Sequence, residues 1–169
     1  MNSKDKPGTR ILVLVLLLGV LAVHGASANP SQTMDPAMHH RNGTEIAVPM
    51  ISGYDPVAYF AAGRPVRGNG YHTATHQGGT YLFANKDNQK KFEANPGKYA
   101  PQYGGYCAYG VSVGKKFYTD PNRWKIVEGK LYLNLDAGIQ KKWNEDISGN
   151  ITKADSHWVN IEHKDPSEL

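Results

Sequence analysis

The chain has one cysteine, Cys107, in a stretch rich in tyrosine and glycine, APQYGGYCAYG from Ala100 to Gly110. A lone thiol has three chemical uses: buried packing, ligation of a soft metal, or reactive and intermolecular sulfur chemistry. It cannot close a disulfide within the chain, so any bridge it makes is to a second molecule, as in a disulfide-linked dimer through Cys107. The candidate partners by residue type are His72 and His76 in YHTATH and Asp55 in GYDPVAYFAAG. In a straight strand His72 and His76 share a face but stand roughly 13 Å apart, too far to hold one ion together. His76, beside the Gly78-Gly79 turn, is the better imidazole to join Cys107, with Asp55 or Tyr109 as a weak third ligand. Such a set suits copper or zinc.

Two other chemistries compete with metal binding. Tyr54, Tyr106 and Tyr109 lie close to glycines and could wall a pocket for a small organic molecule, although tyrosines also fill small cores with their hydroxyls kept wet. A cysteine nucleophile would need His72 or His76 as base and Asp55 to orient it. The chain has no CxxC pair, no cysteine-hydrolase signature, no phosphate loop, no HExxH and no GxSxG, so a Cys-dependent enzyme or redox protein ranks behind a binding module.

The elements that must position these residues can be read from capping and alternation. Asp55 and Pro56 open a short helix that Gly63 closes. Residues 71–84 form a hairpin turning at Gly78-Gly79, and 124–135 a second one turning at Glu128-Gly129. Asn85 caps a helix ending before Pro96, and Asp136 caps a C-terminal helix with Ile139, Trp143 and Ile147 on one face, continued after Ser148-Gly149 by Ile151, Ala154 and Trp158. Between them, CAYGVSV keeps the alternation of a strand. The order of elements makes a small mixed α+β domain, with β-hairpins, short helices and a C-terminal helical segment.

Residues 1–28 have the form of a secretory signal: Lys4, Lys6 and Arg10, an apolar run from Ile11 to Val23, and Ala26-Ser27-Ala28. The run is shorter than the roughly 18–20 residues a spanning helix needs, so cleavage and no stable membrane insertion are expected, with a soluble periplasmic or secreted product. Half of the net charge of +4 belongs to this segment, and no basic-aromatic cluster remains to suggest nucleic acid. Residues 29–45 are polar and aperiodic and are expected to be a flexible arm, residues 46–160 the domain, and residues 161–169 a frayed end.

The run GYDPVAYF … GYHTATHQGGTYLFANKDNQKKFEANPGKYAPQYGGYCAYGVS resembles the YHS domain family, in particular its exported single-domain members, over roughly Ile51 to Trp158. Tyr71-His72-Thr73 stands where that family has Tyr-His-Ser. The resemblance implies metal handling. Metal-binding relatives resemble DPVC and YFC-x-x-x-C, and the matching positions here are Ala58, Ala84 and Asn88, none able to supply a thiolate. Cys107 lies outside that pattern, so a metal site in this chain would have to be built differently.

Overall fold

The computed structural model describes residues 38–41 and 44–169, with side chains from Val48 onward. The signal segment and most of the arm lie outside the described residues. In chain order the elements are β1 (Met38–Arg41), β2 (Thr44–Ala47), α1 (Pro56–Ala61), β3 (Asn69–His76), β4 (Gly79–Phe83), α2 (Lys86–Ala94), α3 (Pro96–Tyr99), α4 (Ala108–Ser112), β5 (Asp120–Val127), β6 (Lys130–Asn134), α5 (Ala137–Glu145) and α6 (Ile147–Ile161). The fold is α+β, with the described strands in three antiparallel hairpins, β1-β2, β3-β4 and β5-β6. Part of the segment expected as a mobile arm therefore pairs, Met38 opposite Ala47 through Arg41 opposite Thr44.

The helices start where side chains satisfy their free N–H groups. Asn85 accepts from Asn88 N, Asp136 from Ile139 N, and Asp146 from Gly149 N at 2.9 Å. The C-terminal helical segment thus breaks at Asp146, ahead of the Ser148-Gly149 pair where the sequence suggests it. The first hairpin turns on Gln77-Gly78, φ 49° and 81°, one residue earlier than expected, because Gly79 is already paired with His76. A Cβ on Gly79 would lie 2.8 Å from Met50 Sδ, so the strand is pinned there by close packing.

Two expectations fail. CAYGVSV is the helix α4 led by Cys107, not a strand: the Cys107 carbonyl accepts from Val111 N at 2.9 Å, and only a single bridge to Leu133 keeps strand character. Alternation over so few residues is weak evidence, and local capping wins. The end of the chain is not frayed either. Lys116 Nζ donates to the carbonyls of Glu162 and Lys164, both at 2.7 Å, and Asp165 forms a capping box with Glu168 around the final 3-10 turn, Pro166–Glu168.

The core has two lobes that share β6. Leu131 and Leu133 point into one, with Val57, Tyr59, Phe83 and Phe92; Tyr132 points into the other, with Val111, Trp143 and Ala154. A strand buried on both faces joins the lobes, so alternation along β6 distributes its side chains between them.

Around these lobes one supersecondary unit occurs twice, at a spacing of about fifty residues. Each copy opens with a left-handed turn: φ 53°, 51° and 80° at Ile51, Ser52 and Gly53, and 55°, 59° and 81° at Tyr103, Gly104 and Gly105. A short helix follows, α1 or α4. Then comes a turn in which a side chain accepts from the amide two residues on, Asn69 from Tyr71 and Asp120 from Asn122. The hairpins carry the same bulge, between Asn69 and Thr73 and between Asp120 and Trp124, and the same turn, Gln77-Gly78 and Glu128-Gly129. Asn85 and Asp136 cap the next helix, and Asn95 and Asp146 start the one after. Gln89 and Gln140 each reach back to a strand carbonyl, Thr73 O at 2.8 Å and Trp124 O at 3.0 Å. The sequence keeps a trace in Tyr81-Leu82 … Gln89-Lys90-Lys91-Phe92 and Tyr132-Leu133 … Gln140-Lys141-Lys142-Trp143.

Candidate functional site

The two copies place Asp55 and Cys107 at equivalent points, each just ahead of the short helix. Asp55 is wholly buried and its carboxylate receives four donors. Oδ1 accepts from Val57 N at 2.8 Å and Ala58 N at 3.3 Å; Oδ2 accepts from Ala84 N at 2.9 Å and Asn88 Nδ2 at 2.7 Å. The carboxylate thereby ties α1 to the end of β4 and to α2. Positions 58, 84 and 88, where the resemblance implies thiolates in metal-binding relatives, meet around this one side chain.

Cys107 has no exposed surface. Its Sγ accepts from Leu135 N at 3.3 Å and Gly110 N at 3.4 Å, the counterparts of the Ala84 and Ala58 amides, and lies 3.7 Å from Asn134 Oδ1. Burial pushes the thiol pKa up, against the opposing pull of the Gly110, Leu135 and Tyr109 amides. These partners include no histidine and no carboxylate. The pairing of Cys107 with His76 as soft ligand and imidazole is therefore absent from the sulfur's surroundings, and among the described residues no group of three His, Cys, Asp or Glu side chains is arranged to hold a metal. His76 instead sets its ring edge-on to Phe92, centroids 6.0 Å apart, and His72 lies on the same face of β3. Both oxygens of Asp55 are engaged by N–H donors, which an ion bound there would have to displace. None of the sulfur's hydrogen-bond partners is a base, and the sulfur has no surface exposed to a second molecule's thiol.

The expected tyrosines divide among three settings. Tyr54 lies under the Arg67 guanidinium, 4.8 Å from its ring centroid. Tyr109 is half-buried and its carbonyl accepts from Ser112 Oγ. Tyr106 is buried, with Lys116 Nζ 5.0 Å from its ring and 5.3 Å from that of Trp158. Tyr54 belongs to the first lobe and the other two to the second, so no single tyrosine-walled pocket gathers them.

Sequence reasoning missed Lys116 and Asn134, and placed Trp143 only on the apolar face of its helix. Lys116 is 5% exposed, its ammonium held between two rings and two carbonyls, and burial lowers its pKa. Asn134 and Trp143 are wholly buried, yet Asn134 Nδ2 and Trp143 Nε1 have no acceptor among the described residues. The repeated Tyr-Leu … Gln-Lys-Lys-aromatic pattern was the signal that could have aligned Asn134 and Trp143 with Phe83 and Phe92; Lys116 lies outside it.

Next to this node the loop from α4 to β5 presents Val113, Phe117 and Tyr118, each about half exposed, at 52%, 45% and 50%. The loop is held by Cys107 N donating to Phe117 O at 3.0 Å, by Lys115 N to Gly110 O at 2.9 Å, and by Thr119 Oγ1 to Gly105 O at 3.1 Å. Phe117 packs so closely over Gly110 that a Cβ there would sit 2.7 Å from the ring.

No family model, curated protein or solved structure matches this chain. Among the described residues no helix is long and apolar enough to cross a membrane.

Proposed function

We propose that the chain is an exported binding domain of the YHS type, periplasmic or secreted, that recognises an apolar or aromatic small molecule on the α4–β5 loop and is not a catalyst. The observation that carries this reading is the exposure of Val113, Phe117 and Tyr118 on a loop that is pinned at both ends. A mere connector gains nothing by holding three large apolar side chains in water, whereas a binding surface does. Pinning lowers the ordering cost of association. Tyr106 and Trp158 lie beneath, so the surface is backed by rings.

The test is a titration with anilinonaphthalene sulfonate, an apolar aromatic probe, followed by fluorescence. Saturable binding that is lost in Phe117→Ser/Tyr118→Ser, with an unchanged melting temperature, is the expected result. Equal binding by both proteins overturns the assignment of the loop.

A second reading, copper or zinc binding, keeps one specific support: positions 58, 84 and 88 converge around Asp55, as the resemblance requires of a site there. Elemental analysis of protein purified without chelator and incubated with Cu(I) or Zn(II) decides it. A stoichiometric metal that survives in Phe117→Ser/Tyr118→Ser and is lost in Asp55→Asn favours this reading, and no metal removes it.

A further inference from the structure

The duplication sets the α4–β5 surface beside its own counterpart. Cys107 N donates to Phe117 O as Asp55 N donates to Val66 O, at 3.0 and 2.9 Å, so Phe117 and Tyr118 stand where the first copy has Val66 and Arg67. Val66 is half-buried, and Arg67 covers the Tyr54 ring with its guanidinium. In the second copy Tyr118 takes that place beside Tyr106, ring centroids 6.2 Å apart, and the cation comes instead from Lys116. The later helices differ as well. The one that starts at Asn95 has four residues, and its counterpart α6 has fifteen. The added turns reach the loop: the Trp158 ring lies 6.4 Å from that of Tyr106, and His157 is so close to Gly114 that a Cβ there would be 3.5 Å from Nδ1. The aromatic surface thus has no equivalent in the first copy, and it is assembled from the loop and from the part of α6 that the first copy lacks.

The edge of this surface is cationic. Lys115 is exposed between Val113 and Phe117 in the chain, while Lys116 is turned inward. Among the described residues Lys115 has no carboxylate partner, and His157, exposed beside Gly114, makes no hydrogen bond. The carboxylates at the end of α6 and after it are engaged elsewhere. Asp155 accepts from Tyr103 Oη at 2.8 Å, Asp165 accepts from Ser167 N at 2.8 Å, and the Glu162 carboxylate lies 3.9 Å from His163. Glu162 and Asp165 also act on the buried Lys116 charge, which leaves Lys115 and His157 as the groups open to a ligand. We propose that the surface selects an aromatic anion, an aryl carboxylate or sulfonate: Phe117 and Tyr118 take the rings, and the ammonium of Lys115 with the imidazole N–H of His157 takes the anionic group. This selection rests on the loop being a binding surface and adds the sign of the ligand's charge. A cation without a partner at the rim of an apolar patch gives a charge-assisted hydrogen bond to an oxyanion, and it does nothing for an uncharged ring. Both side chains are in water, so the preference is modest and sensitive to salt.

The experiment titrates the purified chain at low ionic strength with two fluorescent probes, anilinonaphthalene sulfonate and N-phenylnaphthylamine, which has the same rings without the sulfonate. The sulfonate should bind about fivefold tighter or more, the order expected of an exposed ion pair with a charge-assisted hydrogen bond. Added sodium chloride should shrink that preference. Lys115→Gln/His157→Gln should remove it while leaving the affinity for the uncharged probe and the melting temperature unchanged. Equal affinity for the two probes, with both lost in Phe117→Ser/Tyr118→Ser, overturns the charge selection and leaves the loop as a binding surface. A preference that survives in Lys115→Gln/His157→Gln overturns it too. Binding of both probes that is indifferent to Phe117→Ser/Tyr118→Ser overturns the reading of the loop itself, and the selection with it.

Discussion

Asp55 ties α1, the end of β4 and α2 together, because one carboxylate answers donors from all three. Removing it leaves buried N–H groups with nothing to replace water. Asp55→Ala should therefore cost about 3 kcal/mol, combining a lost helix cap with unsatisfied buried donors, as read from the urea midpoint at neutral pH. Its role as cap was legible in the sequence from Asp-Pro ahead of an apolar run. The bonds to Ala84 and Asn88 were not, since they join residues about 30 positions apart that only the packing of α2 on α1 brings together. Cys107 was read as the start of a strand from alternation over a few residues and, by residue type, as a candidate metal ligand beside packing and reactive uses; its actual partners are neighbours in space that spacing along the chain does not reveal.

Among the elements, turns and caps were legible because their chemistry is local. Glu128 sits at φ 50° as the first residue of the Glu128-Gly129 turn, a conformation that favours asparagine or glycine. Glu128→Asn should raise stability by about 0.5–1 kcal/mol without moving the hairpin, measured by thermal unfolding with amide chemical shifts of β5 and β6 as control. The docked end of α6 behaves differently, because its anchor, Lys116, is remote in sequence. In Lys116→Met the carbonyls of Glu162 and Lys164 lose their donor, and the protected amides of residues 162–169 should exchange at least tenfold faster while those of β6 are unchanged. Unchanged exchange at residues 162–169 would show that the capping box alone holds the end.

The molecule as a whole should be sensitive to alkali. Burial is the leading cause that raises the phenol pKa values of Tyr59, Tyr103 and Tyr132 and the thiol pKa of Cys107. The folded state keeps these protons to higher pH than the unfolded chain does, so their contribution is complete below the unfolded values. It falls as pH rises past about 8.5 for the thiol and about 10 for the phenols. Lys116 has the opposite sign: its pKa is lowered in the fold, which adds stability as pH rises toward about 10.4. Three phenols outweigh one amine. Each contributes a slope of about 1.4 kcal/mol per pH unit, so the urea midpoint should drop steeply between pH 10 and 11, and a flat profile there would contradict the burial of these rings.

The sequence by itself determined the class of the fold, the two hairpins, and the helix starts at Asp55, Asn85 and Asp136, because those features arise from interactions across a few residues. It also contained the duplication, in a pattern too sparse to read without the matching turns and bulges. Only the tertiary structure decided that CAYGVSV is a helix, that β6 serves two lobes, and that Asp55 and Cys107 are counterparts. Those depend on which distant amides converge on a buried atom, and a polar group removed from water takes whatever partner the packing supplies.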